Sequence, residues 1–284
     1  MTDIADKQIV VWETSAINNL ANISNCDDLI ARMEIAYTHW VPMQVFDEIA
    51  ATQCSKRRDH LLRVCRRLTG NSDWSLISPG ALILEAIQEF STSGKIDWNE
   101  LMKADPKFEQ AIASGAVFDD DLASVQKPQM QGHLNQVEGF FAQQKTQLES
   151  IFTSGSGRPD TLDEFIKRTR SDGLIPREIR RTCECILGHD VDLQFAEKFS
   201  KAFPPIMAQT YAFLIAHYRR SGLSLKKKSA GAFDLYASMY LPLCHKYVSE
   251  DRDQLAIFRE VVKYYPLLVE VIWFSGDFRR RFTN

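Results

Sequence analysis

Ile9-Val10-Val11-Trp12-Glu13-Thr14-Ser15-Ala16-Ile17 places four apolar residues, a carboxylate and two hydroxyl residues in succession. An apolar run of that length with polar neighbours describes a short strand covered on both faces, as in a parallel sheet. Thr14 or Ser15 then caps a following helix. A carboxylate at the carboxyl end of such a strand stands where open α/β sheets hold their ligands. Glu13 is therefore the residue on which other functional groups are expected to converge.

Outward from this run the pattern repeats. Leu29, Ile30, Met33 and Ala36 or Tyr37 share one face of a helix over residues 26–37, an amphipathic crossover. Thr38-His39-Trp40-Val41 is a second strand closed by Pro42, and Val45, Phe46 and Ile49 turn one face of the next helix inward. That helix continues, with breaks, through Lys56-Arg57-Arg58, Arg63, Arg66 and Arg67 to a stop at Gly70. Strand, helix, strand, helix within fifty residues opens a parallel α/β sheet. The basic half of the last helix reads first as a solvated face and second as a nucleic-acid contact.

The final sixty residues return to this rhythm, with a helix over 231–241, a strand over 244–248, a helix over 251–264 and a last strand over 269–274. Between the two ends the chain is mostly helical. Trp74-Ser75-Leu76-Ile77 is a short apolar piece before Ser78-Pro79, which opens a helix to about Phe90. Residues 91–135 are polar, with Asp119-Asp120-Asp121 as a surface loop. Helical spacing returns at Leu134, Val137, Phe141, Leu148, Ile151 and Phe152, and Ser154-Gly155-Ser156-Gly157 is a flexible break. Thr161-Leu162-Asp163-Glu164 reads as a capping box, and two further helices flank Pro204-Pro205. The expected organisation is a discontinuous α/β domain over 1–70 and 224–284, interrupted by a mostly helical insertion over 71–223.

Composition narrows the function classes. With 284 residues and 45% hydrophobic side chains the chain can bury a substantial core, and a net charge of −3 argues against a general basic coat for nucleic acid. Cys26, Cys54, Cys65, Cys183, Cys185 and Cys244 form no C-x-x-C pair, which speaks against a zinc module and for reduced thiols. The opening Met1-Thr2-Asp3-Ile4-Ala5-Asp6 lacks the pattern of a secretory leader, and the apolar stretch Tyr264 to Phe274 is broken by Pro266 and Glu270. A soluble cytoplasmic protein is expected. The six histidines share no motif and are read as structural.

Each acidic residue taken alone has an ordinary explanation as a cap, a first-turn charge or a solvated side chain. Their placement is more telling: Glu13 ends the first strand, Glu48 lies in the helix after the second, Asp234 starts a helix before the third, and Asp251 follows that third strand. In a parallel sheet these positions share one edge.

The segments Val10-Val11-Trp12-Glu13-Thr14-Ser15, Val41-Pro42-Met43-Gln44-Val45-Phe46-Asp47-Glu48-Ile49, Phe233-Asp234-Leu235-Tyr236-Ala237 and Val248-Ser249-Glu250-Asp251-Arg252-Asp253 resemble, in this order, the motifs of PIN-domain nucleases. The resemblance covers roughly residues 7–58 and 224–276. It implies a PIN-like, Rossmann-type parallel sheet flanked by helices and a metal-dependent ribonuclease activity. It further implies Glu13, Glu48, Asp234 and Asp251 as catalytic metal ligands, Asp253 as a reserve ligand, and Thr14 and Ser249 as hydrogen-bonding supports. Toxin-like members of the family admit a protein inhibitor as a second partner beside RNA, single-stranded or structured.

Electrostatics agrees with such a site. Two carboxylates 4 Å apart repel by about 4 kcal/mol at an effective dielectric near 20, so a cluster takes up protons or a divalent cation. Oxygen ligands without Cys or His favour Mg²⁺ or Mn²⁺. Lys226, Lys227, Lys228 and Arg252 flank the acidic positions and are candidate phosphate contacts. The family usually carries Asp where this chain has Glu13, and the extra methylene motivates the alternative of a catalytically inactive RNA-binding or protein-interaction module. A helical interaction protein whose carboxylates never meet is the remaining reading. Glu85 lies six residues after Pro79, as Glu48 does after Pro42, and would replace Glu48 were that helix to face away.

Overall fold

A computed structural model of the chain describes residues 7–70, 75–101, 124, 128, 159–222 and 232–282. The fold is α/β. Strands β1 (Gln8–Trp12), β2 (Tyr37–Pro42), β4 (Lys246–Ser249) and β5 (Glu270–Trp273) form an all-parallel sheet, extended at one edge by the two-residue β3 (Ser75–Leu76). The order is β3-β2-β1-β4-β5. The chain thus builds outward from β1 in one direction and then returns to build in the other, so the strand order reverses between β1 and β4. Such a switch point opens a crevice at the carboxyl ends of the two strands.

The alternation of β1 explains its burial on both faces. Val10 and Trp12 point into one apolar layer and Val11 into the other, and all three are wholly buried. The first layer is filled by α1 (Thr14–Ala21), α2 (Cys26–Ala36), α3 (Met43–Ala50) and α4 (Ser55–Thr69), with Phe274 and Phe278 from the C-terminal turns set edge-on against Trp12. α4 ends at Gly70, whose φ of 71° with ψ of −149° is a backbone conformation open essentially to glycine alone.

The opposite layer holds α5 (Pro79–Ser93), α6 (Trp98–Leu101), α7 (Leu162–Ser171), α8 (Leu174–Leu187), α9 (Leu193–Ala202), α10 (Pro204–Gly222), α11 (Ala232–Tyr236) and α12 (Arg252–Tyr264). Phe90, Phe199, Phe203 and Tyr211 of the helical segment join Val11 and Tyr247 of the sheet in one continuous core. The central helices therefore pack on the sheet itself. Thr161 caps its helix by accepting the Glu164 N–H, as read from the sequence, while Glu164 reaches back one residue beyond the cap to accept the Asp160 N–H.

Two local expectations are corrected. The helix over 231–241 is α-helical only to Tyr236, after which Ala237–Leu243 winds as a 3₁₀ helix containing Pro242, whose missing N–H prevents regular continuation. Neither Thr14 nor Ser15 caps α1; Glu13 does, accepting the Ser15 N–H at 2.8 Å. The patterns expected at 134–152, Ser154–Gly157 and Asp119–Asp121 lie outside the described residues. Among the described residues, no helix is long and apolar enough to cross a membrane.

Candidate active site

The switch point gathers side chains from both ends of the chain. Glu13 follows β1, its N–H donating to the Val248 carbonyl of β4 at 3.0 Å. Its Oε2 accepts from Ser15 N–H, from the Ser15 hydroxyl and, at 3.2 Å, from Ser249 Oγ. Ser249 is fully buried at the end of β4 and accepts the Asp251 N–H at 3.0 Å. Asp251 caps α12, its Oδ1 taking the N–H groups of Asp253 and Gln254 at 2.8 and 3.0 Å. The extended side chain of Glu13 is what lets a residue at the strand end fold back onto its own helix as a cap.

Glu48 comes from α3 and Asp234 from α11, and both act electrostatically at the same place. Burial raises the Glu48 carboxyl to about 7, with the charges of Glu13 and Asp234 adding to the rise while Thr14 and Gln44 oppose it. Burial likewise raises Glu13, reinforced by Asp251 and opposed by its bonds to Ser15 and Ser249. All four carboxylates thus belong to one field, each coupled to at least one of the others. Gln254, buried in α12, donates Nε2 to the Asp234 carbonyl at 3.2 Å and so links the Asp234 turn to the Asp251 cap. Thr14 Oγ1 stands within electrostatic reach of Glu48 but short of hydrogen-bond geometry, leaving a buried hydroxyl oxygen without a partner.

The donors fit a hard divalent ion in kind, being carboxylates with an orphaned hydroxyl beside them. Their spacing is looser than a protein cage: among the described residues no three His, Cys, Asp or Glu side chains lie close enough together to hold a metal ion. Mg²⁺ commonly keeps several waters and takes only one or two carboxylates, which this spacing accommodates.

The remaining sequence candidates separate clearly. Asp253 is exposed on the first turn of α12, and Glu85 is exposed on α5. Arg252 lies over the Trp273 ring, 4.2 Å from its centroid, beside Asp251. Lys226, Lys227 and Lys228 lie outside the described residues. The basic half of α4 is largely occupied with structure: Arg57 bonds Asn18 and Asn22, buried Arg58 bonds the Thr52 carbonyl, and Arg67 pairs with Glu34. A nucleic-acid face on α4 is left with Lys56 and Arg63 as its exposed cations.

Sequence reading passed over three contributors. Ser15 bonds both Glu13 and, at 2.9 Å, the Glu250 N–H. Glu250 accepts Trp273 Nε1 at 2.7 Å and the Ser275 N–H at 3.0 Å, fixing the loop after β4 to the end of β5. Gly276 packs on Trp273 so closely that a Cβ there would stand 1.9 Å from the ring. The pairing of Ser15 with the β4 loop had no local signal, since it joins residues 235 positions apart. No protein-family model matches the chain, and neither a curated protein nor a solved structure matches it significantly.

Proposed function

We propose that this chain is a PIN-like nuclease that hydrolyses phosphodiester bonds of RNA with the help of Mg²⁺ or Mn²⁺ held at the switch point. The observation carrying this reading is the coupling of Glu13, Glu48, Asp234 and Asp251, drawn from four separate elements, at the carboxyl ends of β1 and β4. One or two of Glu13, Glu48, Asp234 and Asp251 would hold the ion directly and the others through its waters, with Asp253 in reserve. A bound dication there supplies Lewis-acid polarisation of the phosphate and an acidified water.

The chain's own groups have distinct tasks. Ser15 and Ser249 fix the Glu13 carboxylate, and Ser249 also fixes the start of α12 through Asp251. Burial and the neighbouring carboxylates raise the Glu48 carboxyl to about 7 in the metal-free protein, so its proton would be displaced by a dication bound there. Arg252, stacked on Trp273, offers a guanidinium to phosphate next to the acidic crevice.

The test is Mn²⁺- or Mg²⁺-dependent cleavage of single-stranded and structured RNA by the wild type and by Asp234→Asn. Loss of cleavage in a variant that retains its circular dichroism and melting transition supports the assignment. Cleavage that persists unchanged removes it.

A second reading is a non-catalytic RNA-binding or protein-interaction module. It is favoured by the commitment of Glu13 Oε2 to capping and by the absence, among the described residues, of three acids close enough to share an ion. Wild-type protein that binds RNA and never cleaves it under either cation selects this reading.

A further inference from the structure

The outer edge of the sheet carries a groove of about 450 Å³, between β5, α12 and the C-terminal turns. It is lined by Arg259, Glu270, Asp277, Arg280 and Arg281 together with Val271, Ile272 and Gly276. We propose that this groove binds the phosphate backbone of a nucleic-acid strand through Arg259, Arg280 and Arg281. The proposal rests on nucleic acid being the partner and not on its hydrolysis, because it concerns a surface beyond the four carboxylates.

Three features of the groove converge on a polyanion. Its guanidiniums come from two separate elements, Arg259 from α12 and Arg280 and Arg281 from the turn Arg279–Phe282, so the fold assembles what a terminal charge run alone would not. Two of them are held in place: Arg259 Nε donates to the Val271 carbonyl at 3.3 Å, and Arg281 pairs with Glu270. Glu270 is shared with Lys246, whose Nζ lies 2.5 Å from Oε2, so this carboxylate faces two cations and is pulled down to about 2. Set against three arginines in the lining are Glu270 and Asp277, and Lys246 adds a further cation beside Glu270.

Placement favours nucleic acid over an acidic peptide. Gly276 lines the groove and packs on Trp273, the ring on which Arg252 rests beside Asp251. A strand lying along the groove therefore has a further guanidinium next to it on the way to the acidic crevice. Guanidinium forks match phosphate oxygens bidentately, and successive phosphates along one strand provide the repeat that spaced arginines can use.

The experiment measures binding of a fluorescein-labelled single-stranded RNA to the full chain in EDTA, across a salt series. It compares the wild type with Arg259→Ala/Arg280→Glu and with Arg280→Glu alone, which leaves the Arg259 bond to Val271 intact. The double variant should bind at least tenfold more weakly, and its log-log salt dependence should be shallower by about 1.4, from two lost contacts at about 0.7 each. Unchanged affinity and slope in both variants overturn the groove, as does a wild type that fails to bind RNA. Displacement of RNA by poly-glutamate at equal charge concentration overturns the choice of nucleic acid. Failure of the nuclease reading is seen separately, as cleavage that ignores Asp234→Asn while binding in EDTA still depends on the arginines.

Discussion

Ser249 Oγ donates to Glu13 Oε2 across 3.2 Å, joining two residues 236 positions apart in the chain. The same hydroxyl oxygen receives the Asp251 N–H, so one buried atom holds the strand-end carboxylate and the start of the following helix together. The candidate site depends on this seam between β1 and β4.

Removing that atom tests the seam. Ser249→Ala leaves the half-buried Asp251 N–H without its acceptor and should cost about 1 kcal/mol of stability, read from urea unfolding. Ser249 also holds the Glu13 pKa down. The acidic limb of any metal-dependent cleavage profile should therefore move to higher pH in the variant; an unmoved limb would show that Glu13 does not titrate in the reaction.

Glu48 makes stability depend on pH near neutrality. Its folded pKa of about 7 lies above the usual value of 4.5, so the folded state binds the proton more tightly. The stabilisation is present below pH 4.5 and is lost as pH rises through 7. Glu48→Gln should abolish that slope and raise stability at pH 8 by about 1–3 kcal/mol, given 1.4 kcal/mol per pKa unit reduced for partial exposure. Thermal melts at pH 5 and 8 measure both.

His39 acts with the opposite sign. It is buried, accepts Trp12 Nε1 at 3.0 Å on Nδ1, and burial pushes its pKa down from 6.5 to about 3. The unfolded chain takes the proton first, so stability falls as pH drops from 6.5 towards 3, by at most about 1.4 kcal/mol per pH unit. His39→Gln keeps an acceptor for Trp12 and should flatten this acid limb in chemical denaturation. His39→Leu strands the indole N–H and should cost about 1–3 kcal/mol at pH 7.

Gly276→Ala drives a methyl group into Trp273, which must then move. Overpacking of this kind costs about 1–3 kcal/mol, and it should shift tryptophan emission as the ring leaves Glu250 and Arg252. A variant with native emission and melting point would show that the contact relaxes freely.

The parallel sheet was readable because its strands are local patterns. Val10, Val11 and Trp12 are apolar in succession because both faces are covered, and Pro42, Ser78 and Gly70 punctuate the chain where helices begin or end. The edge strand β3 was less legible, since two residues carry almost no period. The cap of α1 was misread because Ser and Thr are the usual caps, whereas here a longer carboxylate reaches back over its own helix.

Sequence alone determined the α/β class and the four main strands of the parallel sheet, because hydrophobic period and helix punctuation are properties of neighbours. Tertiary structure decided what the acidic side chains meet. It coupled Glu48 rather than exposed Glu85 to Glu13, engaged Arg57, Arg58 and Arg67 within the fold, and brought Arg259 beside Arg280 and Arg281. Such contacts arise only when helices and strands pack together, and the electrostatic coupling of two charges depends on distance and burial, neither of which is written in their separation along the chain.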